Sequence, residues 1–278
     1  MEYKWFKDYI AQIEKSDIEA AKTVLINNIP EKTMIYKYCR GLNRDISNLF
    51  EQKLWLSNVL GFNDPYDSAI MVDCGFKLQY PKEQRKQAME DYLRQQKEDK
   101  KAKELQSSLF VACFSEVNHS FPMWGYYAAE HKGLCIGYNL RELISKYNCM
   151  PVIYTSELVI YKENDHDRNI LLSALTKSNE WKHEREWRII KRSHENKGKK
   201  GIILEKFVEP IELFIGCRQE ETISLNFEMR KRNIDWFELY ADLDEIMNYA
   251  EEHYVELYYP LISRTEYKLI DRAIKLNQ

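Results

Sequence analysis

Between Trp181 and Ile190 the chain reads Trp-Lys-His-Glu-Arg-Glu-Trp-Arg-Ile-Ile, packing carboxylates, cations and tryptophans into one short run. If an extended strand starts near Glu184, its alternation puts Glu184, Glu186 and Arg188 on one face and Arg185, Trp187 and Ile189 on the other. Trp187 and Ile189 then form the buried face. The opposite face presents two carboxylates two residues apart with an arginine behind them. Such a set can act as a catalytic pair, one acid opposing developing positive charge and the other moving a proton. It can equally be an ion-pair cluster at a strand end.

Other residues could join them. Asn63-Asp64-Pro65 reads first as a turn, because Asn and Asp tolerate turn geometry and Pro fixes the next φ. Asp64 and Asp67 could also face the cleft of Glu184 and Glu186. Ser115 ends the apolar run Cys113-Phe114-Ser115 before Glu116, where binding loops begin, although a strand-end Ser also bonds locally. Met123-Trp124-x-x-Tyr127 has helical spacing that suits core packing or an aromatic platform for a planar ring. The six cysteines and six histidines are scattered without metal-ligand spacing, so no metal site is expected. Phosphate-loop, dinucleotide-fold and hydrolase-elbow glycine motifs are absent, so an anionic ligand would depend on Arg and Lys side chains.

The elements that must hold these residues can be read from periodicity. Residues 2–28 predict a helical pair broken near Ser16-Asp17, where either residue could cap the second helix. Strands are expected at 33–40, 54–57, 109–115, 134–138, 151–155, 186–191, 201–204, 211–215 and 236–240. Helices are expected at 44–50, 123–130, 140–147, 167–182 and 220–231, and from 243 to the end. Residues 81–104 are almost wholly charged or amide-bearing and predict an exposed helix; Lys97, Lys100, Lys101 and Lys103 give it a local basic cluster. Short strands mixed irregularly with helices predict an α+β fold of mixed, mostly antiparallel sheets, with inserted and flanking helices. The expected layout is an N-terminal helical segment 1–32, an α+β core 33–242 with a charged helical insertion 81–105, and a C-terminal helical segment 243–278.

With 278 residues, 44% hydrophobic, 13% aromatic and 31% charged, the chain has the composition of a soluble globular protein with a sizeable core. A formal net charge of −3 gives no overall electrostatic footprint for nucleic acid. No apolar run approaches a bilayer span and the N-terminus lacks a signal-peptide core, so a cytoplasmic protein without membrane attachment is expected.

A set of ordered motifs carries a resemblance. Tyr36-Lys37-Tyr38, Asn63-Asp64-Pro65-Tyr66-Asp67, Phe114-Ser115, Met123-Trp124-x-x-Tyr127, His131-Lys132-Gly133-Leu134-Cys135-Ile136, Trp181-x-x-Glu184-x-Glu186-Trp187-Arg188 and Ile215-Gly216 together resemble a bacterial family catalogued as domain of unknown function twenty-nine seventy-one. They span roughly residues 34 to 240, and the family brings no established chemistry. In chain order, Arg40, Ser115 and Glu184-Arg185-Glu186 also resemble the ADP-ribosyltransferases of the Arg, Ser, Glu type. That resemblance implies an ADP-ribosyltransferase-like fold with NAD as substrate. It implies that Arg40 holds NAD phosphate or ribose, Ser115 orients the nicotinamide ribose, Glu186 bonds the ribose hydroxyl and Glu184 activates the acceptor. Tyr38, Trp124, Tyr126, Tyr127 and Arg188 complete the expected nucleotide-binding set, with Tyr126 or Tyr127 stacking on nicotinamide. The sequence departs from that pattern at Ser115-Glu116-Val117 and by placing Cys39 between Tyr38 and Arg40.

Three readings stay open at this stage. The first is an NAD-consuming ADP-ribosyltransferase or NAD glycohydrolase, a toxin or anti-phage effector acting on a protein or nucleic-acid acceptor. The second is a Mg²⁺-dependent nuclease using Asp64, Glu184 and Glu186 with Lys177 or Arg188 on the phosphate. The third is a noncatalytic ligand-sensing or interaction module with Trp181, Trp187 and Arg188 as a rigid wall.

Overall fold

The structure, a computed structural model, describes residues 3–70, 81, 84–160 and 166–274. Helices α1 (Phe6–Ile13) and α2 (Ile18–Asn28) form the expected N-terminal pair, and Asp17 caps α2 by accepting from the Ala20 amide at 2.9 Å. After them come β1 (Met34–Cys39), α3 (Asn43–Phe50), β2 (Leu54–Asn58), α4 (Arg85–Gln106), β3 (Leu109–Ser115), α5 (Phe121–Tyr127), β4 (Leu134–Asn139) and α6 (Leu140–Tyr147). The second half adds β5 (Met150–Pro151), β6 (Ile153–Thr155), α7 (His166–Leu175), β7 (Thr176–Ser178), β8 (Glu186–Arg192), β9 (Gly201–Leu204), β10 (Glu212–Ile215), α8 (Thr222–Lys231), α9 (Leu243–Glu252), β11 (Glu256–Ile262) and β12 (Leu269–Ala273).

The fold is α+β, as expected: one mixed, mostly antiparallel sheet with a separate short parallel pair, β6 and β7. The main path runs β12-β11-β10-β4-β1-β3-β2-β9, with β8 against β3 and β5 against β8. Among its described pairings only β10 and β11 are parallel. Strand β3 is where the sheet branches. Its full length pairs with β8 on one edge, from Leu109↔Arg192 to Ser115↔Glu186. The other edge is shared, because β1 meets it at Tyr36↔Ser115 and β2 at Ser57↔Val111 and Asn58↔Phe110. β1 and β2 therefore part from each other along β3.

Alternation assigns the faces. Phe110, Ala112 and Phe114 of β3, with Trp187 and Ile189 of β8, enter the main apolar core together with residues of α1, α2 and α6. Ser115 and Cys113 share the other face with their partners Glu186 and Arg188. On that face one register row crosses the sheet through Glu212, Gly137, Tyr36, Ser115 and Glu186. Helix α5 covers part of it through an apolar cluster of Tyr38, Met123, Trp124, Ala128, Cys135 and Phe214.

Three expectations are corrected. The helix expected over 167–182 ends at Leu175; Thr176–Ser178 pairs with β6 and a 3₁₀ turn spans Asn179–Glu184, because Ser178 caps that turn through the Glu180 amide. The strand expected at 236–240 is a 3₁₀ turn, Trp236–Glu238, followed by one isolated bridge, Leu42↔Tyr240. The helix expected from 243 onward stops at Glu252, since the run after it is β-prone and finds a partner in β10 that buries Val255 and Leu257. The charged stretch does form a long helix, α4, and residues 82 and 83 of the insertion lie outside the described residues, as does Cys74.

Candidate active site

The strand expected to begin at Glu184 begins at Glu186. Arg185 takes a left-handed conformation, φ 48°, that ends the 3₁₀ turn and breaks the extended run, so Glu184 belongs to the turn. Its side chain nevertheless points to the same cluster as Glu186, because the turn and β7 together bring up Lys177. Lys177 Nζ donates to Glu184 Oε2 at 2.5 Å and to Glu186 Oε2 at 2.9 Å, and lies 3.5 Å from Asp67 Oδ2. Its ammonium also sits 5.2 Å from the ring of Trp181.

Arg188 is the second hub. Its guanidinium spans both oxygens of Glu186 at 2.7 and 3.0 Å and both of Asp67 at 2.8 and 2.7 Å. Nη1 reaches further, to Ser68 Oγ at 3.2 Å and the Ala174 carbonyl at 2.8 Å. Two bidentate pairings use the planar fork that only arginine offers. The set is dry: relative exposure is 0% for Arg188, 2% for Glu184, 4% for Glu186 and 6% for Lys177. Three carboxylates face two cations, so the cluster is close to neutral, which is what allows such burial.

The electrostatics follow from that pairing. Burial alone would raise the Glu186 carboxyl, but Arg188 and Lys177 outweigh it and hold it down at about 2. Burial works against the Lys177 ammonium, yet Glu186, Asp67 and Glu184 together push it above the usual lysine range. The Cys113 thiol, across the strand from Arg188, is raised by burial and then by Glu186, so it stays neutral.

One edge of the cluster reaches outward. Tyr127, half-buried at the end of α5, donates its hydroxyl to Glu184 Oε1 at 2.6 Å, and burial followed by that bond keeps the phenol protonated. Ser115 Oγ donates to the Glu184 carbonyl at 2.6 Å and accepts from the Val117 amide at 3.2 Å, locking the turn to the end of β3. The Tyr154 hydroxyl accepts from the Glu186 amide at 2.8 Å. The 63–67 turn supplies two clamps, since Asp64 accepts from the Trp181 indole at 2.7 Å while Asp67 holds Arg188. By acceptor count, Glu184 has taken two donors and Glu186 three, so Glu184 keeps more open lone-pair positions.

The structure brings Ser115, Glu184, Glu186, Arg188 and Tyr127 together and leaves the rest of the expected set elsewhere. Arg40 lies one residue past the end of β1, exposed, with its charge near Asp45 of α3. The first-strand residue in line with Ser115 and Glu186 is Tyr36. Tyr38 is buried and donates to the Val117 carbonyl at 2.9 Å. Trp124 is buried edge-on to Tyr38, with its indole on the Asn118 carbonyl, so neither ring has a free face. Tyr126 projects into solvent beside Tyr127. Trp187 packs on Trp5 and donates to Glu116, which also holds Arg185 and Tyr3. Among the described residues no group of His, Cys, Asp and Glu is arranged to hold a metal ion.

Fold and site thus define an α+β domain in which a closed ion-pair hub sits beside the branch point of a sheet. Residues 123–189, from α5 into β8, match the family model described as Protein of unknown function (DUF2971), so the resemblance to that family holds over this stretch. No curated protein and no solved structure matches the chain. No described helix is long and apolar enough to cross a membrane.

Proposed function

We propose that this protein consumes NAD, as an ADP-ribosyltransferase or NAD glycohydrolase, at the corner formed by Ser115, Glu184 and Glu186. The observation that carries the reading is the β3–β8 register, which sets Ser115 directly opposite Glu186 while Ser115 Oγ holds Glu184 in place. In this reaction the bond between ribose C1′ and the nicotinamide nitrogen breaks, its electron pair leaving with nicotinamide. An oxocarbenium-like cation develops on the ribose, and a fixed carboxylate in a dry site opposes its charge. Water or an acceptor nucleophile then bonds to C1′ and gives up its proton. Glu184 is assigned that contact because it has the open acceptor positions and lies beneath Tyr127. Glu186, held by Arg188 and Lys177, keeps the negative charge fixed. Arg40 takes no part in this version, and Tyr127 or Trp181 is the ring offered to a planar group. Since NAD loss harms the cell that makes such an enzyme, a toxin or anti-phage effector is the role we attach to it. Nicotinamide release from NAD by the purified chain tests the proposal. Release by the wild type with at least a hundredfold loss in Glu184→Gln supports it, whereas no wild-type release, or equal release by both, overturns it.

A second reading has its own observation. The hub of Asp67, Arg188, Glu186, Lys177 and Glu184 is closed on itself, which suits a rigid noncatalytic ligand-sensing or interaction module. There, Glu184→Gln would change the melting temperature alone. The Mg²⁺-dependent alternative is less well served: Lys177 Nζ already stands among Asp67, Glu184 and Glu186, and Asp64 is turned to Trp181.

A further inference from the structure

Helices α3 and α9 flank a groove of about 550 Å³, closed at one side by Trp236, within the usual size range of ligand sites. Its floor is an aromatic stack: Tyr249 lies face to face with Phe50 at 4.5 Å and with His253 at 4.3 Å. Trp236 and Phe50 both line the groove, with 51% and 39% of their surface open. Helical spacing puts Glu245 and Glu252, seven residues apart, on the same side of α9 as Tyr249. Both carboxylates are exposed, and among the described residues neither is drawn into an ion pair, whereas Glu51 on the opposite wall is already paired with Lys53.

Exposed glutamates on a helix are ordinary. Two unpaired ones bracketing an aromatic floor are what a guanidinium or alkylammonium group needs, because it can pair with a carboxylate while lying on a ring. Two helical turns separate the carboxylates by about 10 Å along the axis. Three residues of peptide in the extended polyproline-II conformation cover about 9 Å and bring residues three positions apart onto the same face. We propose that this groove docks an extended basic segment of a partner protein, with two Arg or Lys residues three positions apart on Glu245 and Glu252 and an apolar side chain between them on Trp236 and Phe50. None of Ser115, Glu184 or Glu186 is involved, so this assignment and the NAD reading stand or fall separately.

Calorimetric titration of the full chain with an acetylated, amidated tetrapeptide, arginine-leucine-glycine-arginine, tests it against the same peptide with glutamine at both ends. The expected result is at least tenfold tighter binding of the arginine peptide, reduced at least tenfold in Glu245→Gln/Glu252→Gln and in Trp236→Ala. Both carboxylates are exposed, so the double variant should melt with the wild type, whereas the indole is half-buried and Trp236→Ala is compared below its own melting temperature. Absence of binding at millimolar peptide overturns the proposal, and so does equal affinity for wild type and double variant, which would mark nonspecific charge attraction. If sedimentation shows the wild type to be a dimer that the double variant dissolves, the occupant is a second copy and the proposal also fails.

Discussion

At the residue scale the decisive group is Arg188, which satisfies two carboxylates at once from a position with no solvent access. Replacing it with Met keeps much of the volume but leaves Asp67 and Glu186 buried with Lys177 as their shared cation. Breaking a buried pair of this kind costs about 3–5 kcal/mol, so Arg188→Met should lower the free energy of unfolding in urea by that order, and a loss below about 1 kcal/mol would contradict the hub. The hub also sets a pH dependence. Glu186 has a folded value near 2 against 4.5 as the reference. A depressed carboxyl contributes stability that is fully present above its unfolded pKa and is lost as pH falls through the folded one. Unfolding free energy should therefore be insensitive to this group from neutral pH down to about 5 and decline from there toward 2, with the decline shallower in Glu186→Gln. Alternation in the sequence was enough to place Glu186 and Arg188 on one face and Trp187 and Ile189 on the other. It could not place Lys177, because Asp167 to Lys182 reads as one helix, and the Thr176-Lys177-Ser178 break is visible only as a β-branched residue followed by a capping serine. Nor could it show that Arg40 falls beyond the end of β1.

At the element scale, the link between α5 and β4 decides where Tyr127 sits. Ala129, Glu130 and His131 all adopt positive φ, at 48°, 56° and 69°. A left-handed residue with a side chain costs about 1–2 kcal/mol, so Ala129→Gly, which relieves that cost but loosens the unfolded chain, should be neutral to stabilising by up to about 1 kcal/mol in thermal melts. A clear loss would show that the turn is unstrained. Gly133 is the opposite case, since a Cβ there would lie 2.2 Å from the Cys39 carbonyl. Gly133→Ala must push β1 and the α5 link apart, and we expect at least about 2 kcal/mol of destabilisation, the range of buried overpacking. β3, β9 and α6 were legible to the residue, because their apolar periodicity is uninterrupted and their ends carry Ser, Gly or Asn. β11 was not: the run Glu256–Ile262 is rich in β-prone residues, but its parallel pairing with β10, far away in the chain, is what separates it from the helix before it.

At the scale of the whole molecule, the sheet is held together at β3, with β8 along one edge and β1 and β2 diverging on the other. The α+β class was legible from the mixture of short strands and helices, whereas this branching was not, since strand order depends on pairings between residues far apart in the chain. The N-terminal segment fastens the same region: Tyr3 bonds Glu116 and Arg185, and Trp5 packs on Trp187. Deleting residues 1–13 would uncover Trp187 and unseat Arg185, so the shortened chain should melt at lower temperature and lose function together with stability. An unchanged melting point would show the strap to be superficial. All of these features surround one carboxylate pair whose chemistry is the central proposal. The most direct measurement is nicotinamide released from NAD by wild type and by Glu184→Gln, each checked for equal melting temperature. The account predicts release by the wild type and a drop of at least a hundredfold in the folded variant; a wild-type protein that leaves NAD intact would contradict it.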